Sequence, residues 1–323
     1  VQKTTPDGVL VVCFKKMQWG HVTRIVREVE APVVVVTPTG VPLVGHINQI
    51  REEPGAHLIS TADEEIFGPL EDALNAIGTH SWMQQACIVN LQGSGRQEAE
   101  VGGLGTRVRT VPLDRFVSGF REMETSDEIK RLARMYLNQA REVVEPSRSD
   151  VLDGAKSCFL LKQITEEEGG DAVMMRCLPG LKKPHEHPPP CMGFMTLRDE
   201  GVPAGCQSDL DATLTMMLAQ KLCGRPGFQQ NAAMDTVRNE YFGAHCTCAS
   251  KMGGLDAESE PYLLRSHNEA GWGCVPQVLF PRGQKLTMAS YESGDKPRMI
   301  IYTGEVVRCL PKKPGGCRTN VQM

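Results

Sequence analysis

Pro32-Val-Val-Val-Val-Thr37 is a run of consecutive β-branched residues behind a proline, and it follows a helical stretch that begins near Trp19-Gly20-His21. A run that is apolar at every position leaves no face for water, so it marks a strand buried on both sides, as in a parallel sheet covered by helices. Further strand candidates surround it: Val9–Phe14 before the helix, Ala86–Leu91 leading into Gln92-Gly-Ser-Gly95, and Thr106–Val111 leading into Pro112-Leu-Asp114. Strands alternating with helical stretches predict α/β architecture, with residues 1–125 as one doubly wound unit.

Downstream, Ile129, Leu132, Ala133, Tyr136, Leu137 and Ala140 share one helical face, opened by Ser126 with acids in the first turn. A second amphipathic helix is expected over Asp150–Glu168, ended by Gly169-Gly170 before a strand at Ala172–Cys177. The tail changes character, with short runs at Val278–Phe280, Lys285–Tyr291, Arg298–Tyr302 and Glu305–Cys309 separated by Gly and Pro. The expectation is therefore two Rossmann-like doubly wound α/β domains, 1–125 and 126–265, followed by a small C-terminal antiparallel β domain, 266–323.

The 323 residues are enough for two or three units that each bury a core. A net charge of −4, from 35 basic and 39 acidic residues, provides no electrostatic footprint for nucleic acid or an anionic membrane, and no apolar run is long enough to span a bilayer. A small neutral ligand fits this balance better. Twelve scattered cysteines without a CxxC pair read as free buried thiols, and Cys246-x-Cys248 as structural. The chain begins at Val1; a cytoplasmic protein is the expectation, with an exported mature form as the other reading.

Chemistry is expected between Met175 and Cys248. Ala204–Gln207 reads as a short buried segment that turns at Ser208 into a helix, with Ser208 as cap and Asp209 and Asp211 in the first turn. Such strand-to-helix junctions are where open α/β sheets bind ligands, which places Gln207 at a ligand site. His185-Glu186-His187, before Pro188-Pro-Pro190, reads as a polar loop that can enter a ligand cleft, and His21 lies near the end of the first strand. His21, His185 and Glu186 are therefore the substrate-binding candidates. The glycines at Gly93-x-Gly95 and Gly102-Gly103-x-Gly105 follow no dinucleotide or P-loop rule.

The order Arg176-Cys-Leu-Pro179, Pro190-Cys191, Leu197-Arg-Asp-Glu-Gly201, Ala204-Gly-Cys-Gln-Ser-Asp209, an apolar helix, Gly224-Arg-Pro226 and Ala244-His-Cys246 resembles the L-fucose and L-arabinose isomerase superfamily. The tail, Gly304-Glu-Val-Val307 and Gly315-Gly-Cys-Arg-Thr319, is similar to that family's C-terminal β domain. The resemblance implies aldose–ketose (ketol) isomerisation of a monosaccharide, a divalent metal such as manganese, and a homotrimer or homohexamer. By position it assigns the metal ligands to Gln207, Asn231 and His245. The family carries carboxylates at the first two. Amides there weaken a hard-cation site and cannot act as the base, so Asp209 is the catalytic candidate, with Glu200 and Asp235 as neighbouring acids. The other reading is a metal-free carbohydrate-binding or structural homologue; a lyase or epimerase relying on Asp209 is a third.

Overall fold

In the computed structural model, which describes residues 6–62, 67–182, 184–311 and 316–323, the valine run is the middle strand of a parallel sheet. The order is β1 (Val9–Val12), β2 (Val33–Pro38), β3 (Ala56–Thr61), joined through α1 (Trp19–Glu28) and α2 (Val44–Arg51) and followed by α3 (Phe67–Gln85). Side chains alternate across a strand, so the valines serve two cores. Val33 and Val35 pack with Trp19, Val22 and Val26 of α1 and Ile50 of α2; Val34 and Val36 pack with Ile59 and with Leu70, Ala73 and Ile77 of α3. These elements form a first compact unit, Val1–Gln84.

The second unit, Gln85–Met323, holds a five-stranded sheet. Its strands are β4 (Cys87–Leu91), β5 (Gln97–Glu100), β6 (Arg107–Val111), β8 (Ala172–Met175) and β9 (Ala204–Cys206), with β7 being the short Glu142–Val143 elsewhere. The order is β5-β6-β4-β8-β9, parallel apart from the β5 edge. The sequence places β4 and β6 with residues 1–125, whereas they join β8 and β9 in this sheet. A strand buried on both faces carries no mark of which sheet it will pair in.

Helices α4 (Asp114–Glu122), α5 (Asp127–Gln139), α6 (Arg148–Glu167), α7 (Cys191–Asp199) and α8 (Leu210–Cys223) complete the α/β part. Ser126 caps α5 by accepting from the Ile129 amide at 3.3 Å, and Ile129, Ala133 and Tyr136 are its buried face. Ser147 and Asp150 form a capping box that starts α6, and Gly169 at φ 62° ends it. Helix α6 has a buried face along its length: Leu160, Leu161 and Ile164 pack under the five-stranded sheet, and Val151 and Ala155 join a second core with Tyr262, Leu264 and Val321. A Cβ on Gly193 of α7 would meet the Cys158 backbone at 3.0 Å, so glycine there lets α7 lie close against α6.

The remaining strands are β10 (Asn231–Asp235), β11 (Glu240–His245), β12 (Tyr262–Arg265), β13 (Val275–Val278), β14 (Lys285–Glu292), β15 (Arg298–Glu305) and β16 (Thr319–Gln322). They form β10-β11-β16, β13-β12-β7 and the hairpin β14-β15. The antiparallel strands of the carboxyl-terminal part thus begin at Asn231, ahead of residue 266. The strand expected over Glu305–Cys309 does not form; Arg308 makes one isolated bridge to Gln322. Gly315 of the tail motif lies outside the described residues. Among the described residues, no helix is long and apolar enough to cross a membrane.

At the carboxyl end of α6, Glu168 is nearly buried and paired with Arg96 at 2.7 Å, with Arg115 close by. The hydrogen bonds from Arg96 and the surrounding guanidinium charges hold its carboxyl below the usual carboxylate range, against the opposing effect of burial. A carboxyl with a lowered folded pKa stabilises above its unfolded pKa, and that stabilisation is lost as pH falls through the folded value. Thermal melts from neutral pH downward should show Glu168→Gln less stable than wild type at pH 7, with the gap closing in acid. A gap independent of pH would show that the pair adds only packing.

Candidate metal centre

The site is built at the end of β9. Its last residue, Cys206, is followed by Gln207 and Ser208 at φ 59° and 54°, two successive non-glycine residues in the left-handed region. Each costs on the order of 1–2 kcal/mol, and such strain clusters at functional sites. The reversal leaves Gln207 exposed with its Nε2 donating to Cys177 Sγ at 3.1 Å. Asp209, and not Ser208, caps α8: its Oδ1 accepts from the Ala212 amide at 3.0 Å, while the Ser208 hydroxyl oxygen is buried without a partner. The left-handed φ of Ser208 is incompatible with the extended backbone of a cap, which Asp209 has.

Around Cys206 the chain gathers thiols from several elements. Cys177 follows β8 and its Sγ lies 3.8 Å from that of Cys206. Cys246, just past β11, sits against the thiols of both Cys206 and Cys191, the first residue of α7. The His245 Nδ1 is 3.7 Å from the Cys246 Sγ. Two donor sets result, Cys206–His245–Cys246 and Cys191–Cys246–His267, each with all its ligand atoms within 4.8 Å of one another and all buried. Hydrogen bonds from Cys177 and Cys246 hold the Cys206 thiol well below the ordinary range despite burial. Sharing those hydrogen bonds and being buried pushes Cys177 and Cys246 up. Burial lowers the pKa of His245 and His267, which keeps both imidazoles neutral and able to donate a lone pair.

Arg198 of α7 is only 1% exposed. It donates to the Ala204 carbonyl through Nε at 2.9 Å and also through a second nitrogen, to the Thr247 carbonyl at 3.4 Å, and to Gln229 Oε1 at 3.4 Å. Gln229 in turn accepts from the Cys206 amide at 2.8 Å and donates to the Cys206 carbonyl at 3.2 Å and to Asp209 Oδ2 at 3.4 Å. One buried cation thus fixes the residues flanking Cys206 and Cys246.

Beside this network lies a cavity of about 730 Å³ lined by Asp209, Gln229, Gln230, Tyr241, Tyr302 and Thr303, among others. Asp211 also lines it, but its carboxylate is taken by the Ser293 amide and hydroxyl.

Gln207, Asp209 and His245 all lie next to Cys206: Gln207 follows it in the chain, the Asp209 amide donates to its carbonyl at 3.3 Å, and His245 shares a donor set with it. Asn231 is exposed on β10, opposite Ala244 and so one residue from His245 in register. His185 and Glu186 are exposed in the loop before α7, the His185 ring 4.3 Å from that of Trp272 and its Nδ1 bonded to the Leu181 carbonyl. His187 is buried, edge-on to Phe116. His21 is exposed on α1 of the first unit. Sequence reading passed over Cys177, Cys191, Cys206, Cys246, Gln229 and Arg198. The signal was present: four of the resembling motifs each contain one of these cysteines.

Manganese takes carboxylate, carbonyl and water oxygens. Here the Gln207 amide nitrogen is engaged with Cys177, Asn231 is exposed, and His245 stands among thiols. The donor set does not fit manganese. No protein-family model matches the chain, and no curated protein matches it.

Replacing Arg198 by Met removes the donors of the Ala204 and Thr247 carbonyls, each worth about 1–3 kcal/mol when left unpaired in the interior. Urea unfolding should show Arg198→Met destabilised by about 2 kcal/mol or more. A loss below about 0.5 kcal/mol would show that those carbonyls find other donors.

Proposed function

We propose that this chain is a sugar isomerase-like enzyme that takes a polyhydroxy compound of monosaccharide size into the cavity beside Asp209 and catalyses its ketol interconversion. The observation that carries the reading is Gln230 Oε1, a buried acceptor without a partner on a residue that lines the cavity. A buried polar atom is costly unless a ligand or another donor meets it, and a sugar hydroxyl is such a donor. Amides, hydroxyls and the Tyr241 and Tyr302 rings on the same walls match the mixed polar and apolar faces of a sugar. Gly243 makes room, since any Cβ there would collide with the Gln230 amide.

In ketol interconversion a base removes the proton from the carbon beside the carbonyl. The C–H pair becomes the C=C of an enediol, the carbonyl oxygen gains a proton, and the base returns its proton to the neighbouring carbon while the other hydroxyl gives up its own. Asp209 is the carboxylate positioned for this, aimed by Gln229. Two Rossmann-like doubly wound domains, a C-terminal antiparallel domain and a trimeric or hexameric assembly go with this reading. A second reading, carbohydrate binding without turnover, is favoured by Asp209 having one oxygen on the Ala212 amide and the other on Gln229.

A panel of aldoses, ketoses and polyols should raise the melting temperature, by an amount corresponding to about 2.7 kcal/mol at a hundredfold excess over Kd. Gln230→Ala should reduce that shift. Asn caps helices as well as Asp, so Asp209→Asn should keep the fold and the sugar shift while lowering isomerisation, followed by NMR, by about 10²-fold or more. Sugar binding with no turnover in wild type selects the second reading; no shift with any sugar ends both.

A further inference from the structure

We propose that Cys206, His245 and Cys246 bind a thiophilic divalent ion of the zinc class, with three protein ligands and a fourth position left for water or substrate. This site shares only His245 with the hard-cation set that the resemblance implies, replaces its two amides by thiols and takes a different metal, and it does not depend on the sugar reading.

Distances support it first. A tetrahedral zinc with sulfur at about 2.3 Å and nitrogen at about 2.0–2.1 Å separates an S–N pair by about 3.6 Å and an S–S pair by about 3.8 Å. Cys246 Sγ and His245 Nδ1 are 3.7 Å apart, and Cys206 Sγ lies within 4.8 Å of both. The His245–Cys246 edge already has the spacing the ion requires, and Cys206 stands close enough to complete the triangle.

Chemistry supports it next. Thiolate and imidazole select zinc over manganese or magnesium. Binding requires deprotonated sulfur, and the buried Arg198 guanidinium, which donates to the Ala204 and Thr247 carbonyls close to Cys206 and Cys246 in the chain, places a positive charge beside the pair. Gln229, hydrogen-bonded to both the amide and the carbonyl of Cys206, fixes that ligand's backbone.

The choice between the two donor sets follows from their surroundings. Cys206 lies beside the strained Gln207–Ser208 turn and, through Gln229, beside the cavity. In the Cys191–Cys246–His267 set, the His267 Nδ1 accepts from the Ala270 amide at 3.2 Å, and Cys191 is fully buried at the start of α7. Three ligands and an open position at the carboxyl end of a parallel sheet are the pattern of a catalytic zinc, whereas four protein ligands would make a closed structural site.

The test uses the whole chain without any sugar. Protein expressed with added zinc is assayed for metal by mass spectrometry, and cobalt-substituted protein is assayed for thiolate-to-cobalt charge-transfer absorption. The expected result is one ion per chain, cobalt bands of two thiolates, and no competition from manganese. Outer-shell partners of a metal are worth about 10- to 100-fold in affinity, so Cys206→Ser and His245→Gln should each lower zinc affinity by about 100-fold or more, while Cys191→Ser keeps the ion. The cobalt spectrum of unmutated protein reads thiolate ligation even if a variant fails to fold. No bound ion, no charge-transfer band, or binding lost with Cys191 and His267 but kept without Cys206 would each overturn the proposal. A sugar shift that persists in metal-free protein would leave the functional reading standing after that failure.

Discussion

The buried guanidinium of Arg198 is the constraint on which the second unit's site depends. Among the described residues it has no carboxylate partner, and burial alone disfavours its charge. Backbone carbonyls of Ala204 and Thr247 and the amide of Gln229 replace water around it. Those groups belong to β9, to the segment after β11, and to the segment entering β10. A planar fork with several donors can hold three such segments at once, which a lysine ammonium on a flexible stem does less well.

That arrangement explains why chemistry gathers where it does. The parallel strands β8 and β9 bring Cys177 and Cys206 to the same edge, because Met175 pairs with Cys206 in register. Strand β11 delivers His245 and Cys246 from the antiparallel part, and α7 delivers Cys191. Hydrogen bonds from Cys177 and Cys246 hold the Cys206 thiol well below the ordinary range. Polar support continues outward through Gln229 to Asp209 and the cavity.

Much of the local structure was legible in the sequence. The valines of β2, the Ser126 cap of α5 and the Gly169 stop of α6 each depend on neighbours a few residues away, and each was readable. Pairing was less so, since β4 and β6 look alike whichever sheet they enter. At the site, the sequence points to Gln207, Asp209 and His245, which lie next to Cys206, but not to the cysteines as a group, because they are spread over about seventy positions, from Cys177 to Cys246, and meet only through strand order. The cap falls on Asp209, one residue beyond the Ser208 that composition favours, because the left-handed φ of Ser208 leaves no trace in composition.

Helix α6 has a consequence for how the second unit comes apart. Its amino-terminal half belongs to the core shared with the antiparallel strands and its carboxyl-terminal half to the core under the five-stranded sheet. Neither half can melt without exposing apolar surface in the other, so the sheet and the antiparallel strands share a single cooperative transition. Damage to the β-rich tail is thus expected to reach the thiols around Cys206 through this helix.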